Sequence, residues 1–156
     1  MSSSRDRTIR TWNLTTGEKI EVIDWHRDSL TSLAVLHNGE IAVGSKNGVI
    51  LIYQRNSTIY NLIRTLQSPT FAVTKLIFLP SGELVSGTVD RKILVWNTSS
   101  GQIIRSMEGW SGVKCLALLP SGELVSASNG KSISIWNLTT GQIVRELVGH
   151  SSVVYR

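Results

Sequence analysis

A single cysteine among 156 residues excludes an internal disulfide framework. The chain also has no run of eighteen apolar residues, so no transmembrane helix is expected. Its first residues, Met1-Ser-Ser-Ser-Arg5-Asp6-Arg7, contain no apolar segment of the kind a secretory signal needs, and none is expected. Together these absences suggest a reducing, soluble setting, which we read as cytoplasmic with the nucleus left open. Metal-ligand patterns are missing too. There is no His-x-x-x-His or Cys-x-x-Cys, carboxylates do not cluster, and His26, His37 and His150 are scattered. A protein metal site needs several convergent ligands, so no metal and no cofactor are expected. No Gly-rich phosphate loop occurs; the glycines read as hairpin residues. At 41 % hydrophobic and 17 % charged residues, the chain is neither a disordered tail nor a coiled coil.

What the sequence has is repetition. Leu79-Pro-Ser-Gly-Glu-Leu-Val-Ser86 returns forty residues on as Leu119-Pro-Ser-Gly-Glu-Leu-Val-Ser126. Trp12-Asn-Leu-Thr-Thr-Gly17 returns as Trp136-Asn-Leu-Thr-Thr-Gly141, with Trp96-Asn-Thr-Ser-Ser-Gly101 as a third copy and Tyr53 in the same slot. The four aromatics are spaced 41, 43 and 40 residues apart. Self-similarity at this period marks a repeat architecture. Each unit reads as four short strands; in the last they are Val113–Leu119, Glu123–Ser128, Ser132–Asn137 and Ile143–Leu147. Alternation of period two, with turn residues between the runs, predicts antiparallel strands, and no segment carries a 3.6-residue amphipathic pattern. The fold is expected to be all-β, with fewer than about one residue in ten helical.

Four strands and a Trp near the end of the third describe one propeller blade. Asp90-Arg-Lys-Ile-Leu-Val-Trp96-Asn97, Ser132-Ile-Ser-Ile-Trp136-Asn137 and Gly149-His150 resemble the WD40-repeat family, with Trp-Asn where the family's pattern has Trp-Asp. The resemblance covers essentially the whole chain as a partial set of degenerate repeats. It implies blades of four antiparallel strands in an incomplete or half propeller of about three and a half to four blades. Residues 1–23 read as a partial blade, 30–66, 73–107 and 113–147 as full blades, and 151–156 as the start of a next one. Such an array exposes apolar faces at both ends. It fits either a segment of a longer propeller or half of a ring closed by two copies, a four-bladed monomer and an open array being the other arrangements. The joined ends would bring His150 toward Ser2, Asp6 and Trp12.

The family's blades are often held by a buried network of His, Ser or Thr, Asp and Trp. The resemblance assigns structural roles of this kind to Trp12, Tyr53, Trp96, Trp136, Ser86, Asp90 and His150. The set is eroded: Pro69 or a neighbour and Trp110 stand in two His slots, Gly130 in an Asp slot, and Val43 in a Ser slot, with His26 near the His slot of that blade. Cys115 is expected to face the interior of its blade. The sequons at Asn13, Asn97 and Asn137 fall on the repeated third turn, where Asn suits local hydrogen bonding.

Sixteen Lys plus Arg against eleven Asp plus Glu leave a formal charge of +5. Arg91-Lys92, Lys46 and Lys131 fall between second and third strands, and such turns gather on one rim. A weakly basic rim suits an acidic protein. It lacks the interleaved aromatics of a single-strand nucleic-acid binder, so nucleic acid is not expected. Candidate interface residues are Trp25, Trp110, Arg91 and Lys131; for the two tryptophans, partial burial between blades is the equal alternative. The resemblance implies a non-catalytic protein–protein interaction scaffold or adaptor, with protein partners and self-association into a closed propeller in view. The alternative is an accessory regulatory or substrate-recognition propeller segment of a larger enzyme or signalling protein. No enzymatic activity and no membrane association are expected.

Overall fold

Polar turn residues cut this chain into runs too short for helices, and β-branched residues fill the runs, which favours strands. The structure, a computed structural model, describes residues 1–24, 27–57, 59–69 and 71–155. Among them are fifteen strands and no helix. The first sheet holds β1 (Ser2–Ser3), β2 (Ile9–Trp12) and β3 (Lys19–Ile23). The second holds β4 (Leu30–Val35), β5 (Ile41–Ser45), β6 (Val49–Arg55) and β7 (Tyr60–Gln67). The third holds β8 (Val73–Phe78), β9 (Glu83–Thr88), β10 (Lys92–Asn97) and β11 (Ile103–Glu108). The fourth holds β12 (Val113–Leu118), β13 (Leu124–Ser128), β14 (Ser132–Trp136) and β15 (Ile143–Val148). Every strand pairs antiparallel with its chain neighbour inside its sheet. These are propeller blades set side by side, the all-β arrangement that the repeat predicted.

The turns have a physical signature. Asn13, Asn97 and Asn137 each accept two backbone N–H bonds through Oδ1, from the residues two and three positions on. This closes the turn after the third strand and accounts for the Asn that follows each Trp. Gly17, Gly101 and Gly141 end that turn at φ 75°, 75° and 73°, a left-handed conformation that glycine adopts without a steric penalty.

Not all glycines are turn residues, as the sequence had suggested. Gly44 and Gly87 lie inside β5 and β9, where the first strand of the next sheet crosses closely. A Cβ on Gly87 would stand 2.5 Å from Val113 Cγ1, and one on Gly44 2.6 Å from Val73 Cγ1. Their missing side chains let neighbouring sheets approach. Lys92, read as a turn residue, is the first residue of β10.

Three apolar layers glue the four sheets in series. Ile9 and Ile23 of the first sheet pack with Ile41, Val43 and Tyr53 of the second. Ile50, Ile52 and Leu66 of the second pack with Leu84, Leu94 and Trp96 of the third. Val85, Ile93 and Met107 of the third pack with Leu116, Leu124 and Trp136 of the fourth. The aromatics of the second, third and fourth sheets therefore face the sheet before them. A Trp buries roughly 200 Å² here, worth about 5 kcal/mol at ~25 cal/mol per Å².

Candidate interaction surface

Antiparallel meanders send alternate turns to opposite ends of a blade. The turns between second and third strands, and the links from one sheet to the next, therefore share one rim. Backbone bonds tie the two sets together: Gly109 N–H donates to Arg91 O, Val89 N–H to Ala72 O, and Asn129 N–H to Gly112 O. Arg91 and Lys131 are exposed on this rim. The Arg91 guanidinium is engaged, since Nη2 lies 2.9 Å from Glu108 Oε1, while no carboxylate pairs with Lys131 among the described residues. Arg91 also holds φ at 75°, an uncommon conformation for a residue with a Cβ. Trp110 stands exposed on the same rim. So does Phe71, on the link into the third sheet, which the sequence reading did not single out. Its neighbours Pro69 and Thr70 do not repeat in the other links, so periodicity carried no signal for it. Trp25 and His26 lie outside the described residues.

Where the first strands converge, this rim opens into a cleft of about 630 Å³. Its cations are Arg5, Lys46 and Lys114, and no Asp or Glu is among the described residues that line it. Hydrogen bonds link the strands around it. The Thr31 hydroxyl donates to Val73 O at 2.6 Å, and Leu76 N–H donates to the buried Ser32 hydroxyl at 2.9 Å. Ser29 Oγ donates to Arg5 O at 3.3 Å, which fixes the turn carrying that arginine. Uncompensated cations around a concave site create a positive potential that draws anions.

The residues assigned structural roles sit as follows. Trp96 Nε1 donates to Ser86 Oγ and Trp136 Nε1 to Ser126 Oγ, each at 2.8 Å and buried. Trp12 Nε1 donates to Ser2 Oγ at 2.9 Å, but Trp12 is 37 % exposed. Tyr53 is buried, and burial pushes its phenol up to about 12. Asp90 Oδ1 is buried without a hydrogen-bond partner among the described residues, in the blade whose His slot holds Pro69 or a neighbour. His150 is exposed and makes no hydrogen bond among the described residues. Asp6 is occupied locally: bonds from the Thr8 hydroxyl and amide, with Arg10 alongside, hold its carboxyl below the usual range. Cys115 is half-buried and, with Ala117, Val125 and Ile133, borders a small hollow on the fourth sheet. No group of three or more potential metal ligands occurs among the described residues, and no helix among them is long and apolar enough to cross a membrane.

Comparison with known proteins agrees with this architecture. The family model described as "WD domain, G-beta repeat" matches residues 60–97 and 101–137. The ribosome biogenesis protein YTM1 of Phaeosphaeria nodorum is 30 % identical over 117 residues, covering 70 % of this chain and 25 % of that protein. Mitochondrial division protein 1 of Candida glabrata is 26 % identical over 109 residues, covering 70 % of this chain and 13 % of that protein. The chain thus spans a quarter or less of the length of these relatives.

Proposed function

This chain is a member of the WD40-repeat family, and from that premise we propose that it is a non-catalytic interaction scaffold whose basic rim cleft holds an acidic protein segment. The observation that carries the reading is the cleft itself: Arg5, Lys46 and Lys114 around one concavity without a lining carboxylate. Exposed Phe71, next in sequence to the lining residue Ala72, and exposed Trp110 on the same rim would supply the aromatic anchors on which interface affinity concentrates. Rigid hairpins carry the surface, so little ordering is needed when a partner docks. Ribosome biogenesis and mitochondrial division, the processes in the relatives' names, have nothing in common that defines a partner. The partner is therefore assigned by the chemistry of the cleft.

The test is fluorescence anisotropy with a labelled Glu/Asp-rich twelve-residue peptide bearing one Leu, beside a single-stranded DNA of equal charge. The peptide should bind, weaken as salt rises, and lose at least tenfold in affinity in Lys46→Glu with Lys114→Glu. Equal binding by that variant, or preference for the DNA, overturns the reading.

A further inference from the structure

Asn-Gly occurs three times, at Asn38-Gly39, Asn47-Gly48 and Asn129-Gly130, each time between two paired strands. The pair is self-reactive by nature. The glycine nitrogen lies one ring closure from the Asn Cγ, and no Cβ hinders its approach. The structure treats the three pairs differently. Asn47 Oδ1 accepts from the Ser45 hydroxyl at 2.5 Å and from the Val49 N–H at 3.2 Å. Asn38 Oδ1 accepts from the Glu40 N–H alone, at 3.3 Å, and Asn129 Oδ1 accepts no bond among the described residues.

Two donors at one carbonyl oxygen stand where negative charge gathers when a nucleophile adds to the carbonyl carbon. Ser45 is buried in β5, which holds this donor in place, and its proton is shared with Val49 O at 2.7 Å. The nucleophile is loosely held: Gly48 N–H reaches Ser45 O at 3.3 Å, the long end of the hydrogen-bond range. The departing group is free, since Asn47 is exposed and its Nδ2 has no partner among the described residues. Asn47 also borders a hollow of about 380 Å³, which gives water a path to the side chain.

We propose that Asn47 is a self-modification site, at which the folded chain converts its own side-chain amide to a carboxylate. Gly48 N gives its proton to solvent base and bonds to Asn47 Cγ. The Cγ–Nδ2 bond breaks, Nδ2 takes a proton from solvent and leaves as ammonia, and a cyclic imide remains. Water then adds to either imide carbonyl and opens the ring to aspartate or isoaspartate. The sum consumes one water and releases one ammonia, with no oxidant or reductant. Aspartate suits the fold, because the third sheet carries Asp90 at this register: Ser45 stands opposite Leu30 as Thr88 stands opposite Val73, and Asn47 and Asp90 each follow two residues on. Either product places a negative charge beside Lys46, one of the cleft cations. The modification is independent of what the cleft holds. Its consequence, weaker capture of an acidic segment, rests on that reading.

Peptide mapping by mass spectrometry tests it on the whole chain, aged for days in mildly alkaline buffer. The Asn47 peptide should gain about one mass unit, and divide into aspartate and isoaspartate forms, before the Asn38 and Asn129 peptides do. Asn47 should react at least about threefold faster in the folded chain than in urea, where the two donors disperse. Ser45→Ala should slow it about tenfold, and Ser45→Thr, which keeps the hydroxyl, should not. The folded-to-urea ratio of the parent decides the matter if Ser45→Ala fails to fold. Asn47→Asp should bind the labelled acidic peptide about threefold more weakly than the parent. Asn38 or Asn129 reacting first, slower reaction folded than in urea, or a folded Ser45→Ala that reacts as fast as the parent overturns the site. Unchanged affinity in Asn47→Asp overturns its consequence alone, and a parent that binds no peptide overturns the rim reading while the mass shift still decides the site.

Discussion

The Trp96 indole N–H reaches across from β10 to the Ser86 hydroxyl on β9 at 2.8 Å, with both groups buried. The same bond recurs forty residues on between Trp136 and Ser126. The Trp is thus both the largest apolar group of its blade and a polar pin between two strands.

Deleting the pin and deleting the ring should separate in magnitude. Ser86→Ala leaves an indole donor unpaired in the core and should cost about 1–3 kcal/mol. Trp96→Ala and Trp136→Ala remove the ring as well and should cost about 3–5 kcal/mol each. Urea melts followed by circular dichroism measure all three; equal losses for Ser86→Ala and Trp96→Ala would mean that the ring contributes no packing.

Gly87 and Val113 should be energetically coupled. Alanine at 87 drives a methyl into Val113 Cγ1, and overpacking of this kind costs about 1–3 kcal/mol. Shortening Val113 to Ala opens that space. The double variant should be more stable than the sum of the singles predicts, by at least about 0.5 kcal/mol. In the fourth sheet, which carries no following sheet among the described residues, Ala127 stands in the place of Gly87.

At Arg91 backbone strain and a surface ion pair can be told apart. Arg91→Ala removes the half-exposed pair with Glu108, worth about 0–1 kcal/mol, and keeps φ at 75°. Arg91→Gly removes the same pair and also the Cβ. The Gly variant should exceed the Ala variant in stability by about 1 kcal/mol. Identical melts would show that the turn accommodates a Cβ freely.

Tyr53 sets an alkaline limit on the seam between the first and second sheets. Burial raises its phenol from the ordinary 10 to about 12, so the folded chain keeps that proton longer than the unfolded one does. The stabilisation is fully present below pH 10 and declines as pH rises toward 12. Absorbance of phenolate should show a step near 12 that Tyr53→Phe removes, and in that variant the alkaline loss of stability should shrink.

Strand order and blade number were legible because they follow from repetition, which a single sequence displays. The Trp–Asn turn was legible for the same reason: Asn13, Asn97 and Asn137 repeat with their chemistry. What did not repeat was hidden. Phe71 sits in a link whose neighbours have no counterpart, and its exposure depends on how two sheets meet. The roles of Gly44 and Gly87 were hidden too, because only the crossing of Val73 and Val113 shows why a strand there lacks a side chain. The cleft itself was hidden as well, although the sequence placed Lys46 on this rim. Arg5, Lys46 and Lys114 come from three different sheets, and only the angular stacking of blades gathers them.

The central claim is that the basic rim is the binding face, and backbone chemical-shift mapping with the acidic peptide tests it most directly. The account predicts shifts concentrated at Thr31, Lys46, Thr74, Lys114 and the Trp110 indole, all on that rim. Shifts concentrated instead at Ser81, Ser121 and Thr139, in turns of the opposite rim, would contradict it.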